Sequence, residues 1–265
     1  MGKILKTQIM GILNVTPDSF SDGGLYRELP QAIAQAEKMI EAGAQIIDIG
    51  GESTRPGSES ITLQEEMDRV LPVLEKLTTY NVEISIDTTK PELAYYALKM
   101  GADIINDISG LQYGSLIAEH IAKHDAKLII MHMRGVPKTM QVDPNSNDII
   151  REIIEFFNGQ SKIALDKGVK KDNIILDPGI GFGKRLEDNI RILKEFEIFR
   201  DLGFPLLLGA SRKSMIGEIC GSAVGERLPG SLAIACVAAQ RGANIIRVHD
   251  VAETVQALKI IENIW

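Results

Sequence analysis

The stretch Gly43-Ala44-Gln45-Ile46-Ile47 returns almost unchanged as Gly101-Ala102-Asp103-Ile104-Ile105 and again as Gly242-Ala243-Asn244-Ile245-Ile246. Each copy follows an amphipathic stretch and opens a β-branched run, an order that predicts a helix ending in a left-handed glycine and passing directly into a buried strand. The repeating unit is therefore helix, short loop, strand. Working outward from these copies, short apolar runs place further strands, for a total of eight near 8–13, 45–49, 82–86, 103–106, 127–131, 173–176, 205–208 and 244–248. Helical patterns fill the intervals near 30–42, 63–79, 91–100, 115–124, 148–167, 187–202, 230–241 and 251–264, with Pro30 and Pro91 read as first-turn prolines.

Strands that are apolar without alternation, each followed by a helix, predict a parallel sheet covered by helices. Their carboxyl ends decide between an open sheet and a barrel. Asn14, Asp48, Asp87, Asn106, His132, Asp177, Ser211 and Arg247 stand at or just beyond strand ends. In a closed barrel all eight such ends form one ring, whereas in an open sheet only those at the switch point converge. The reading is an α/β fold, a (β/α)8 TIM barrel, as one domain over 1–265.

Composition narrows the partners. With 45% hydrophobic and 25% charged residues the chain can bury a full core. Lys and Arg number 29 against 36 Asp and Glu, a net charge of −7, which argues against nucleic acid or an anionic membrane as the main partner. No apolar run reaches the roughly 20 residues of a membrane helix and no cleavable leader is visible, so a cytoplasmic location is expected. Two cysteines, Cys220 and Cys236, form no C-x-x-C and are expected to be buried thiols within helices.

Several familiar motifs are absent or weak. His120 and His124 have i, i+4 spacing, but without a neighbouring third ligand they read as a solvated helix end. Asp177-Pro-Gly-Ile-Gly-Phe-Gly-Lys184 does not match G-x-G-x-x-G and follows the sixth strand; it is expected to be a flexible loop carrying Phe182 and Lys184 over a pocket. The Gly-, Ser- and Pro-rich loops 16–24 and 52–60 are expected to be mobile. No Walker sequence, G-x-S-x-G or H-E-x-x-H occurs.

Two constellations remain. Asp87, Asn106 and Asp177 at strand ends suit a heterocycle edge that offers a fused amine and ring N–H, because ionised carboxylates only accept hydrogen bonds. Lys213 could donate to the carbonyl or ring nitrogen on the heterocycle's other side. Arg55, Arg247 and His249, with Thr54 and Asn14, would set fixed donors around one flank, as a phosphate or diphosphate requires. Asn14 also offers a hard oxygen to the Mg²⁺ that normally accompanies a diphosphate.

The chain resembles, from end to end, the dihydropteroate synthase family of pterin-binding barrels. The matching stretches are 14–24, 51–57, 85–88, 105–108, 131–134, 177–184, 211–214 and 247–250. Ile180 and Met215 depart from that pattern, standing where many members carry Phe. The resemblance implies condensation of 6-hydroxymethyl-7,8-dihydropterin diphosphate with p-aminobenzoate, giving 7,8-dihydropteroate and diphosphate for folate synthesis. It assigns the pterin to Asp87, Asn106, Asp177 and Lys213, and the diphosphate, with Mg²⁺ on Asn14, to Asn14, Thr54, Arg55, Arg247 and His249. It assigns p-aminobenzoate to Phe20, Arg55, Pro56, Phe182, Ser211 and Lys213, with Asp87, Asp177, Lys213 and Arg247 carrying the chemistry, and it implies a homodimer through outer helices. The competing readings are a methyltetrahydrofolate-corrinoid methyltransferase, which has no need of a diphosphate cluster, and a pterin-binding protein without catalysis.

Overall fold

The structure is a computed structural model that describes residues 7–16, 25–53, 58–135 and 148–264. Eight parallel strands, β1 (Gln8–Asn14), β2 (Ile46–Gly50), β3 (Glu83–Asp87), β4 (Ile104–Asp107), β5 (Lys127–Met131), β6 (Ile174–Asp177), β7 (Leu207–Leu208) and β8 (Ile245–Val248), pair in sequence order, and β1 also pairs with β8. Closure comes from a parallel bridge between Leu176 and Leu206, next to a Leu176 N–H bond to the Pro205 carbonyl at 2.9 Å. The expected barrel is the observed one.

Helices α1 (Leu25–Glu41), α2 (Leu63–Leu77), α3 (Pro91–Met100), α4 (Leu116–His124), α5 (Ile149–Asp166), α6 (Leu186–Lys194), α7 (Ser214–Cys220), α8 (Leu228–Gln240) and α9 (Val251–Ile264) accompany the strands. The repeated phrase behaves identically in all three places. Gly43, Gly101 and Gly242 have φ of +104°, +104° and +90°, and the alanine after each donates to a carbonyl five residues back, closing the helix end. The polar residue that follows then caps the start of a neighbouring strand. Gln45 Oε1, Asp103 Oδ2 and Asn244 Oδ1 accept from the N–H of Ile9, Ile84 and Leu206 at 2.7, 2.8 and 2.8 Å. One pentapeptide thus stops a helix, starts a strand and ties it to its neighbour.

Some local expectations are corrected. Pro30 lies inside α1 rather than at its start, beyond the first turn, where it removes one backbone donor and its ring crowds the carbonyl four residues back. The expected helix 187–202 breaks into α6 and a 3₁₀ helix, Phe196–Leu202, whose Phe196 and Phe199 are driven into the core. Helix α7, seven residues long, is too short to show a period in the sequence. Cys220 ends that helix exposed and Cys236 in α8 is half-buried, so neither is the fully buried thiol expected.

Strand parity sets the interior. Met10, Ile46, Ile104, Ile129, Ile175, Leu207 and Ile245 form an apolar plug inside the barrel. Side chains two residues further along several of these strands share the same face, one level nearer the carboxyl ends. That level holds Asp48, Asn106, Asp177 and Arg247. The outer faces of the strands pack on the helices in a much larger core that includes Phe157, Phe196 and Phe199.

Candidate active site

The carboxyl ends of the strands converge as expected. Asp87 on β3 is in register with Asn106 on β4, and Met131 on β5 with Asp177 on β6. Asp87, Asn106 and Asp177 are all buried. Asn14, at the end of β1, faces the same mouth: a Cβ placed on Gly50 would lie 3.6 Å from its Oδ1 and 3.9 Å from Asp87 Oδ2. A side-chain carbon at 50 would therefore sit in ordinary contact with both an amide oxygen and a carboxylate.

Arg247 reaches across this mouth from β8. Its Nε donates to Asp48 Oδ2 at 2.6 Å and its Nη2 to Asp87 Oδ2 at 2.8 Å. Asp48 Oδ2 also accepts from Asn106 Nδ2 at 3.2 Å. Burial opposes the charge on Arg247, but Asp48 and Asp87 outweigh it and raise its pKa. Burial lifts Asp87 to about 7 against the pull of Arg247, with Asp48 adding to the rise. Asp177 is lifted to about 6 by burial, and held back by the Gly179 N–H on its Oδ1 at 2.8 Å and by Lys213.

Lys213 precedes α7, with its Nζ 4.0 Å from the centre of the Phe182 ring. Burial and then Arg247 lower its pKa to about 8, while Asp177 opposes the fall. Phe182 packs with Ile108, Met131 and Met133, and Ile108, Met133 and Asp87 line a cavity of about 600 Å³ at the mouth. On the far side, Ser211 Oγ lies 3.1 Å from His249 Nδ1 and accepts from the His249 N–H at 3.2 Å. Burial, then Arg247, drops His249 to about 4, so its imidazole is neutral near pH 7.

Asn14, Asp87, Asn106, Asp177, Phe182, Ser211, Lys213, Arg247 and His249 therefore gather at one end of the barrel. Phe20, Thr54, Arg55 and Pro56, with most of the loops expected to be mobile, lie outside the described residues. In the sequence Asp48 is one polar strand end among many. Its signal was a lone acid inside Ile46-Ile47-Asp48-Ile49, on the parity of the barrel interior. A second missed group is Lys90, whose Nζ lies 2.5 Å from both Glu52 and Glu66 beside the cavity. Burial raises the pKa of Glu66, and its bond to Lys90 opposes the rise. His120 and His124 pack around Tyr95, and no group of metal-binding side chains occurs among the described residues.

The loop after β6 is braced rather than flexible. Lys184 is 3% exposed, and its Nζ donates to the carbonyls of His132, Gly179 and Phe182 at 3.0, 2.9 and 3.2 Å. Burial pulls its pKa down to about 7. Gly179 has φ +66°, and a Cβ there would meet the His132 carbonyl oxygen at 2.1 Å, so the close approach excludes any side chain. Ile180 and Met215, the two departures from the family pattern, are buried core residues.

A profile of the family described as pterin binding enzyme matches residues 10–249. The dihydropteroate synthase of Synechocystis sp. is 48% identical over 262 residues, covering 98% of this chain and 91% of that protein. A Yersinia pestis dihydropteroate synthase solved with a sulfonamide drug complex superposes with a TM-score of 0.92 at 46% identity, covering 97% and 94% of the two chains. A Clostridium difficile dihydropteroate synthase solved in the presence of pteroic acid gives 0.93 at 44% identity, covering 100% and 99%. The fold and site define a pterin-binding enzyme of the TIM-barrel class. Within that class the chain belongs to the dihydropteroate synthase family.

The Lys184 brace is open to test. Lys184→Met should strand three buried carbonyls and cost about 2–4 kcal/mol, read as a lower urea midpoint with an unchanged slope. An unchanged midpoint would show that the loop holds itself.

Proposed function

We infer that this chain catalyses dihydropteroate synthesis in folate biosynthesis, joining 6-hydroxymethyl-7,8-dihydropterin diphosphate to p-aminobenzoate with loss of diphosphate. The observation that carries the reading is the mouth itself, where buried carboxyl groups and a fixed guanidinium meet beside an apolar wall. The relatives match over nearly their whole length, and one was solved with pteroic acid, which joins a pterin to p-aminobenzoate. That leaves the corrinoid methyltransferase and simple binding readings without support of their own. The single domain over 1–265 is part of this proposal.

In the proposed assignment Asp87, Asn106 and Asp177 take the polar edge of the pterin, and Lys213 donates to its other side. Phe182, Ser211 and Lys213, with Phe20, Arg55 and Pro56, receive p-aminobenzoate. Asn14, Thr54, Arg55, Arg247 and His249 face the diphosphate. A dissociative route fits the acidic floor that Asp87 and Asp177 set beside the heterocycle. The bond from the exocyclic carbon to oxygen breaks and diphosphate leaves with the electron pair. The resulting positive charge spreads into the pterin ring, where Asp87 and Asp177 favour it. The aryl amine nitrogen then bonds to that carbon and loses a proton to solvent. Arg247 stabilises the departing anion.

Asn14 Oδ1, a hard oxygen at this mouth, would hold a Mg²⁺ that arrives with the diphosphate and keeps most of its waters. When bound, such an ion neutralises charge on the leaving group.

No helix among the described residues is long and apolar enough to cross a membrane, and a cytoplasmic location is proposed. A homodimer is proposed through α7, α8 and α9. These pack side by side, α8 carries no charged side chain, and Ile219, Val237 and Ile260 are exposed across them. Val237→Glu should shift the protein from dimer to monomer in sedimentation velocity; a wild-type monomer at micromolar concentration would overturn this.

Diphosphate release tests the reaction. Release should require p-aminobenzoate, and Asp177→Asn should cut turnover by about 100-fold while p-aminobenzoate affinity in the diphosphate complex changes by less than about threefold. Unchanged turnover would remove the cation argument. The pH dependence follows from the free mouth. Asp177, near 6, and Asp87, near 7, must be ionised to accept, while Lys213, near 8, must keep its proton to donate. kcat/KM should therefore rise as pH increases through 6 and 7, peak between 7 and 8, and fall above 8. A rate that stays level from about pH 5 to about pH 7 would contradict these roles.

A further inference from the structure

Asp48 takes no part in the reaction as derived, yet it touches more of the mouth's machinery than any other acid there. It is fully buried on the interior face of β2, one level above Ile46 of the apolar plug. Its Oδ2 accepts from both Arg247 Nε and Asn106 Nδ2, whereas Oδ1 has no hydrogen-bond partner among the described residues. For stability alone this is a poor arrangement, because a buried ion pair repays its desolvation only when its remaining lone pairs are satisfied. Its use lies in geometry.

A guanidinium is a rigid plane with separate donors on its edges. Arg247 spends Nε on Asp48 and Nη2 on Asp87, and the two acids differ in situation. Asp48 is sealed below the mouth, whereas Asp87 lines the cavity. A heterocycle donating to Asp87 draws on the carboxylate charge that holds Nη2 and so weakens that bond, but cannot reach the bond to Asp48. Held by Nε, the guanidinium keeps its place while Nη2 is freed towards the leaving group.

We propose that Asp48 is a positioning residue: by anchoring Arg247 through Nε and Asn106 through its amide, one buried carboxylate couples occupation of the pterin site to anion affinity at the diphosphate site. The coupling is positive, since a pterin on Asp87 releases a donor that the free protein keeps occupied. This rests on the assignment of pterin to Asp87 and diphosphate to Arg247.

The test is calorimetric titration of inorganic diphosphate with and without 6-hydroxymethylpterin, which lacks a leaving group and does not react. In the wild type the pterin should tighten diphosphate by about tenfold, and diphosphate should tighten the pterin equally. In Asp48→Asn, which keeps the shape but not the charge, both ligands should bind with a coupling within about twofold of unity. A purely structural role would lower the melting temperature or both affinities and leave the tenfold coupling intact, which would overturn the proposal. Arg247→Lys keeps the charge but cannot bridge two carboxylates, so it too should lose the coupling; retained coupling there overturns the proposal even if Asp48→Asn does not fold. A wild type that binds both ligands independently refutes this inference alone. One that binds neither refutes the functional reading on which it rests.

Discussion

A ring of parallel strands has no free edge, so its interior is bounded on all sides by side chains of a single parity. Everything at the mouth follows from where along that interior the apolar filling stops. Met10, Ile46, Ile104 and their partners close the lower part, and the next level on the same faces carries Asp48, Asn106, Asp177 and Arg247. Charged groups placed there are shielded from water by the plug below and the strands around them. They are held at distances that surface side chains, with their rotamer entropy and solvent competition, do not keep.

The electrostatics of the site follow from that shielding. Burial disfavours charge of either sign, so it lifts Asp87 and Asp177 and lowers Lys213 until all three titrate within a few pH units of neutrality. Opposite charges compensate only in part, since three acids share the space with Lys213 and Arg247. A ligand bringing hydrogen-bond donors, and a cationic transition state, would supply what the free mouth lacks. The arginine between Asp48 and Asp87 holds that tension in a defined geometry.

The loop after β6 shows the same economy. Gly179 turns where no side chain fits, and Lys184 gathers three carbonyls from two loops beneath it. Phe182 is thereby pressed onto Ile108 and Met133 with Lys213 over its ring, so one packed surface joins the loop to the mouth. A glycine-rich segment is flexible only when nothing tethers it, and here the tether is a lysine whose target carbonyls lie up to 52 residues away.

Much of this was legible in the chain alone. The thrice-repeated pentapeptide determined the helix-to-strand unit because the left-handed glycine, the β-branched run and the polar cap are all local signals. Continuous apolar strands ending in polar residues determined the barrel and the roles sought at Asp87, Asn106, Asp177 and Arg247. What the chain could not reveal were relations set by sequence separation and packing. Only the closed barrel brings Arg247 within 2.6 Å of Asp48, 199 residues earlier, only core packing breaks the sixth helix at Phe196, and only the crowded turn at Gly179 gives Lys184 its three carbonyls. Local propensity is written residue by residue, whereas the pairing of buried charges depends on which distant backbones the fold makes neighbours.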